Sequence, residues 1–199
     1  MSHMTVAELE TRLRPALVGP LPGLEAQRGM APQPRPGWRP GSTSDYRRLA
    51  AALLLIYPGD GATIVLTIRS GALSHHSGQI SLPGGAVSEG ESVAEAALRE
   101  AAEEVGIDTA TVRVLGVLTP LDIPVSGFLL HPVVGVVDHR PDFLPADGEV
   151  DRILEVRVDD LLDPARLGFD HRLRDGVHYD VPFFGVGGDV VWGATAMVL

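Results

Sequence analysis

The chain has 199 residues, 45% of them apolar, which suits one domain with an extension and leaves ample material for a core. Its formal net charge is −10, from 26 acidic and 16 basic residues, a balance that disfavours nucleic acid and anionic membranes as partners. It contains neither cysteine nor lysine, which excludes disulfides, thiolate catalysis, thiolate zinc sites, Schiff bases and the P-loop lysine. Any phosphate chemistry must then rest on metal, arginine, histidine and backbone amides. The longest apolar run, Leu49 to Tyr57, falls far short of the roughly 20 residues that cross a bilayer. No basic segment followed by an apolar one opens the chain, so the expected location is cytoplasmic.

Thr5 to Leu17 reads as a short helix, with Val6, Leu9, Leu13 and Leu17 spaced along one face. Gly19 to Gly41 is crowded with proline and glycine and is expected to be an irregular arm over the main domain. The first unit is thus 1–47 and the main domain 48–199. Arg48 to Tyr57 and Ala62 to Arg69 are strand candidates either side of a turn at Pro58-Gly59-Asp60-Gly61. A polar loop, Ser70 to Gly78, leads to Gln79 to Leu82 and then to Pro83-Gly84-Gly85. The clearest helix follows: Ser92 and Glu95 make a capping-box pair, and Gly106 supplies the stop. Ala94, Ala97, Leu98, Ala101 and Val105 mark its buried face. Further strands are expected at Val112 to Leu118, Leu129 to Val137, Ile153 to Val158 and Val181 to Phe184. Short helices are expected at Val158 to Leu162 and from Trp192. Mixed strands with few helices predict an α/β sandwich or α+β domain, not a wound βαβ sheet.

Glu100, Glu103 and Glu104 stand at i, i+3 and i+4 on that helix, on one side of it. Like charges at this spacing repel by about 0.2–0.5 kcal/mol per pair. A hard divalent cation would turn the repulsion into a site, since carboxylate oxygens suit Mg²⁺ and Mn²⁺. A solvated acidic face is the alternative. Gly84 and Gly85, just upstream, would let backbone approach a bulky ligand.

Here the chain resembles the Nudix family. That family's signature is Gly, five residues, Glu, seven residues, then Arg-Glu-apolar-any-Glu-Glu-any-Gly-apolar. Gly85, Glu91 and Arg99-Glu100-Ala101-Ala102-Glu103-Glu104-Val105-Gly106-Ile107 meet every fixed position. The resemblance implies a mixed sheet sandwiched between helices, with the signature as loop, helix and loop. It also implies a metal-dependent pyrophosphatase, with Glu100 and Glu104 as principal metal ligands and Glu103 as a ligand or the group orienting water. Glu91, Arg99 and Gly106 are then structural, holding loop to helix. Glu149, in the loop Asp147-Gly148-Glu149-Val150, is a second candidate base or outer ligand.

Upstream, Val65-Leu66-Thr67-Ile68-Arg69-Ser70, Ser74, Gly78 and Leu82-Pro83-Gly84-Gly85 are similar to the additional motif of the family's coenzyme A pyrophosphatase branch. The spacing is kept, while Val65, Ser74 and Leu82 replace Leu, Arg and Phe. Ser74 removes a cation that could meet a phosphate, so the resemblance transfers that task to Arg69 or His76. Gln79, Gly84 and Gly85 complete the substrate-binding candidates. The implied reaction is cleavage of coenzyme A or its derivatives to 3′,5′-ADP and 4′-phosphopantetheine or its acyl forms. ADP-ribose, dinucleotides or other nucleoside diphosphate derivatives are the alternative substrates.

Overall fold

The computed structural model describes residues 3–35, 37–38, 48–70, 78–174 and 176–199. Its centre is a mixed sheet. Strand β1 (Arg48–Gly59) pairs antiparallel with β2 (Gly61–Arg69) and parallel with β7 (Phe128–Val136). Strands β3 (Ile80–Ser81) and β8 (Val150–Arg157) join β2. Strand β4 (Gly84–Ala86) joins β1, and β5 (Arg113–Val117) and β6 (Leu121–Ile123) join β7. Because β1 is covered on both faces, its sequence is almost unbroken apolar rather than alternating.

Helix α3 (Val93–Val105) lies on one face, burying Ala96, Ala97, Ala101 and Val105 against Ala51, Leu53, Leu55 and Tyr57 of β1. Ala52, Ile56, Ile64 and Leu66 look to the other face. There they meet α1 (Val6–Val18), α4 (Val158–Leu162), α5 (Gly193–Val198) and a second sheet. That sheet is β9 (Leu167–Arg174), β10 (Val177–Val186) and β11 (Asp189–Trp192), with β10 in the middle. The mixed sheet between helices is the expected α/β architecture.

Helix α1 carries the expected stripe, and a capping box of Thr5 and Glu8 starts it. The region expected to be irregular nonetheless contains α2 (Gly23–Gly29). Five helix formers, Leu24 to Arg28, stand between its glycines, and docking decides the outcome. The Gln27 amide, 5% exposed, donates to the carbonyls of Thr119 at 3.0 Å and Pro120 at 3.4 Å. At Gly23, with φ of 38°, a Cβ would run into the Thr119 side chain. Further along, Gln33 and Asp180 exchange two backbone hydrogen bonds, at 2.9 and 2.8 Å.

Three strands were not expected from the sequence. Strands β6 and β11 are short, and β11 follows β10 across a turn at Gly187-Gly188. Strand β9 alternates as a strand should, yet Leu167, Phe169 and Leu173 on one of its faces are all exposed. Gly84 and Gly85 also belong to a strand of their own rather than ending the one before.

Candidate active site

Helix α3 begins where Ser92 accepts from the Glu95 N–H and Glu95 from the Ser92 N–H, and it ends at Gly106 in the left-handed region, φ 72°. The loop that follows β7 then folds back on the helix end. Leu144 N–H donates to the Val105 carbonyl at 2.9 Å and Ala146 N–H to the Glu104 carbonyl at 3.0 Å. These bonds satisfy carbonyls that a helix C-terminus leaves open. They also bring Glu149, three residues beyond Ala146, to the same end of the sheet. Ser70 N–H donates to the Glu149 carbonyl at 2.9 Å, locking that loop to the end of β2. Nothing in local sequence pattern announced this clamp; only the glycine at 148, with φ of 81°, marks the turn.

The three glutamates of α3 do not share one environment. Glu104 is 6% exposed and accepts from the Gly84 N–H at 3.2 Å. Burial pushes its carboxyl up to about 7; the Gly84 bond and Arg69 oppose the rise, and the charges of Glu100 and Glu149 add to it. Glu100 is partly covered and accepts from Arg99 Nη1 at 2.8 Å. Glu103 is the exposed one, its side chain 60% accessible, and it is turned to the same Arg99 atom at 3.3 Å. Arg99 thus draws Glu103 to the rim, while the Gly84 N–H holds Glu104 inward.

Arg99 ties the signature together. Its guanidinium spans both oxygens of Glu91, at 2.8 and 3.1 Å, and reaches the Ala86 carbonyl at 3.1 Å. Glu91 in turn accepts from the Ser88 N–H at 3.0 Å. Such a planar, bidentate pairing fixes the β4–α3 loop on the helix.

Of the substrate candidates, Arg69 places Nη1 at 3.8 Å from Oε1 of Glu104. Gln79 lies alongside, its carbonyl accepting from the Arg69 N–H at 3.0 Å. Gly84 and Gly85 are glycines for packing reasons first. A Cβ on Gly84 would sit 2.6 Å from the Ala52 Cα, and one on Gly85 would strike the Glu100 carboxylate. His76 and Ser74 lie outside the described residues.

The donor set is chemically right for a hard cation. It is all oxygen, and it crowds the charges of Glu100 and Glu149 around a buried Glu104 with Arg69 as counter-charge. Among the described residues, however, no three carboxylates or imidazoles converge tightly enough to ligate an ion as the side chains stand. Arg99 holds Glu91, Glu100 and Glu103. An open groove of about 680 Å³ runs along the outer side of α3, lined by Glu91, Glu95, Leu98, Arg99 and Glu103. Glu104 and Arg69 take no part in it. Among the described residues, no helix is long and apolar enough to cross a membrane.

A model of the NUDIX domain matches residues 46–175. The protein named Uncharacterized Nudix hydrolase NudL from Pectobacterium atrosepticum is 40% identical over 162 residues, covering 77% of this chain and 80% of its own. Its namesake from Yersinia enterocolitica is 38% identical, covering 81% and 83%. Among solved structures, a Nudix hydrolase from M. smegmatis, RenU, superposes with a TM-score of 0.50 at 27% identity, over 59% of this chain and 74% of that one.

Proposed function

The chain belongs to the Nudix family and is a hydrolase of diphosphate linkages, and from that premise we propose that it cleaves coenzyme A or its derivatives. The products are 3′,5′-ADP and 4′-phosphopantetheine or an acyl form of it. What supports the reading is the upstream run, whose spacing from Val65 to Gly85 follows the coenzyme A motif and whose course ends at the signature glutamates. Its Arg69 ends β2 beside Glu104, and its Gly84 donates to that same carboxylate. The segment similar to the coenzyme A motif and the glutamates of the signature thus meet at one point.

Mg²⁺ or Mn²⁺ is the proposed cofactor; when bound it supplies charge neutralisation of the diphosphate and a more acidic water. Glu100 and Glu104 would hold it. Arg69 lends its charge to the phosphoryl oxygens next to Glu104, where charge accumulates as the bridge breaks. Water adds to one phosphorus, the P–O bond of the bridge breaks, and the departing phosphate keeps the bridging oxygen. The proton leaving the water passes to a carboxylate, for which Glu149 and Glu103 are the candidates. Glu149 is favoured because its loop is tied to the end of α3 at the Glu104 carbonyl and its charge is felt at Glu104, whereas Glu103 is engaged by Arg99 on the rim.

The test is a turnover screen over coenzyme A, acetyl-coenzyme A, ADP-ribose and NADH with added Mg²⁺ or Mn²⁺, products identified by mass. Release of 3′,5′-ADP is expected, and its loss after exhaustive EDTA treatment. Turnover confined to ADP-ribose or NADH would overturn the substrate, and EDTA-resistant turnover would overturn the metal.

A further inference from the structure

Strand β9 is an edge. Its inner side pairs with β10 along its whole length, from Leu167 opposite Phe184 to Arg174 opposite Val177. Among the described residues nothing pairs with its outer side. An eight-residue edge bearing exposed apolar side chains is what soluble proteins ordinarily avoid by shortening, charging or covering the strand. Here Phe169 and Leu173 are each 66% exposed, and they share a face with His171. On the opposite face Asp170 and Arg172 pair at 2.7 Å, and Arg172 lies over the Trp192 ring at 4.3 Å.

The order Phe169-Asp170-His171-Arg172-Leu173 is self-complementary about His171. Consider a second copy of β9 laid antiparallel along the first, the two related by a two-fold axis perpendicular to the sheet. Such an axis keeps each face on its own side, so only same-parity registers are open. Centred on His171, the register sets Phe169 opposite the copy's Leu173 and Asp170 opposite the copy's Arg172, each pair occurring twice. The apolar pairs fall on one face and the charged pairs on the other. Every Asp170 then has an Arg172 along its own strand and another across. Centring on Asp170 would oppose two aspartates, and centring on Arg172 would oppose two arginines, both unfavourable.

We propose that β9 is a dimerisation edge, joining two copies of this chain through antiparallel β9–β9 pairing centred on His171 into one six-stranded sheet. His171 is the self-opposed residue of this register, and its Nδ1 lies 2.6 Å from Asp180 Oδ1 of its own chain.

Sedimentation equilibrium of the full chain tests this. The parent protein is expected to dimerise reversibly. Asp170→Arg, which opposes arginine to arginine at two symmetric places, should weaken the dimer by about tenfold or more. Phe169→Glu should do the same, and the exchange Asp170→Arg with Arg172→Asp should restore the dimer. Circular dichroism confirms that each variant is folded, which is expected because Phe169 is exposed and Asp170 and Arg172 lie at the surface outside the core. A parent chain that stays monomeric at every concentration would overturn the proposal. So would a dimer indifferent to Asp170→Arg, or one that the double exchange does not restore.

Discussion

Arg69 Nη1 stands 3.8 Å from Oε1 of Glu104, so the end of β2 delivers a cation to the buried glutamate of α3. The likeness to the coenzyme A motif gives the extra phosphate of coenzyme A to Arg69 or His76. The position of Arg69 beside Glu104 instead favours the diphosphate that all candidate substrates share. Arg69→Ala should therefore lower kcat/KM for coenzyme A and dephospho-coenzyme A alike. A lost charge-assisted hydrogen bond is worth about 1.5–3 kcal/mol, or about 10- to 150-fold. A loss confined to coenzyme A would return Arg69 to the 3′-phosphate.

Glu104→Gln separates chemistry from packing. Glutamine keeps the shape and an oxygen to accept from Gly84 N–H, 3.2 Å away in the parent protein. It lacks the charge that a divalent cation needs. Activity should fall by about 100-fold or more, a loss of several kcal/mol in transition-state stabilisation. The metal-free variant should melt at or above the parental Tm, because a crowded, desolvated charge is gone. Near-parental turnover at saturating metal would remove Glu104 from the ligand set.

The far end of the sheet offers a test of stability without activity. Tyr57, fully buried on β1, donates to Glu155 Oε2 at 2.9 Å, and Arg140 Nε donates to the same oxygen at 2.9 Å. Tyr57→Phe should cost about 1.5–3 kcal/mol in urea unfolding, the worth of a hydrogen bond to a charged group. Arg140, and Tyr57 after it, hold the Glu155 carboxyl below its ordinary 4.5. A depressed acid contributes stability that is present above its unfolded pKa and lost as pH falls through its folded one. The stability gap between the parent and Glu155→Gln should therefore be full above about pH 5 and close as pH drops through 4.5 and lower. A gap independent of pH would mean that packing, not charge, is what Glu155 supplies.

Much of this arrangement is written locally, and the rest is not. The α3 boundaries follow from Ser92, Glu95 and Gly106, whose side chains and backbone act within one turn. The doubly covered β1 and β2 show in their unbroken apolar runs. By contrast, α2 is tied down by Gln27, which finds two carbonyls some 90 residues away in sequence. The separation of Glu103 from Glu104 is likewise tertiary: helical spacing makes them neighbours, while Arg99 and the β4 backbone sort one to the rim and one inward. The placing of Glu149 depends on α3 carbonyls captured by a distant loop, which no window of sequence records.

The two glycines of β4 should respond oppositely to the same added methyl. Neither has a positive φ, so alanine fits the backbone and only space decides. At Gly84 the new Cβ meets the Ala51 carbonyl and, at 2.6 Å, the Ala52 Cα, which belong to β1 and cannot move without the sheet. Gly84→Ala should thus cost about 1–3 kcal/mol or more of stability, the usual effect of overpacking. At Gly85 the obstacle is the Glu100 carboxylate, the far end of a flexible side chain. That end can swing away, so Gly85→Ala should leave Tm near the parental value. The swing would carry off a proposed metal ligand, so the metal concentration needed for half-maximal turnover should rise. Measuring Tm and the Mn²⁺ dependence of both variants distinguishes the cases. If Gly85→Ala turned over normally at limiting metal, Glu100 would not be holding the ion in its present place.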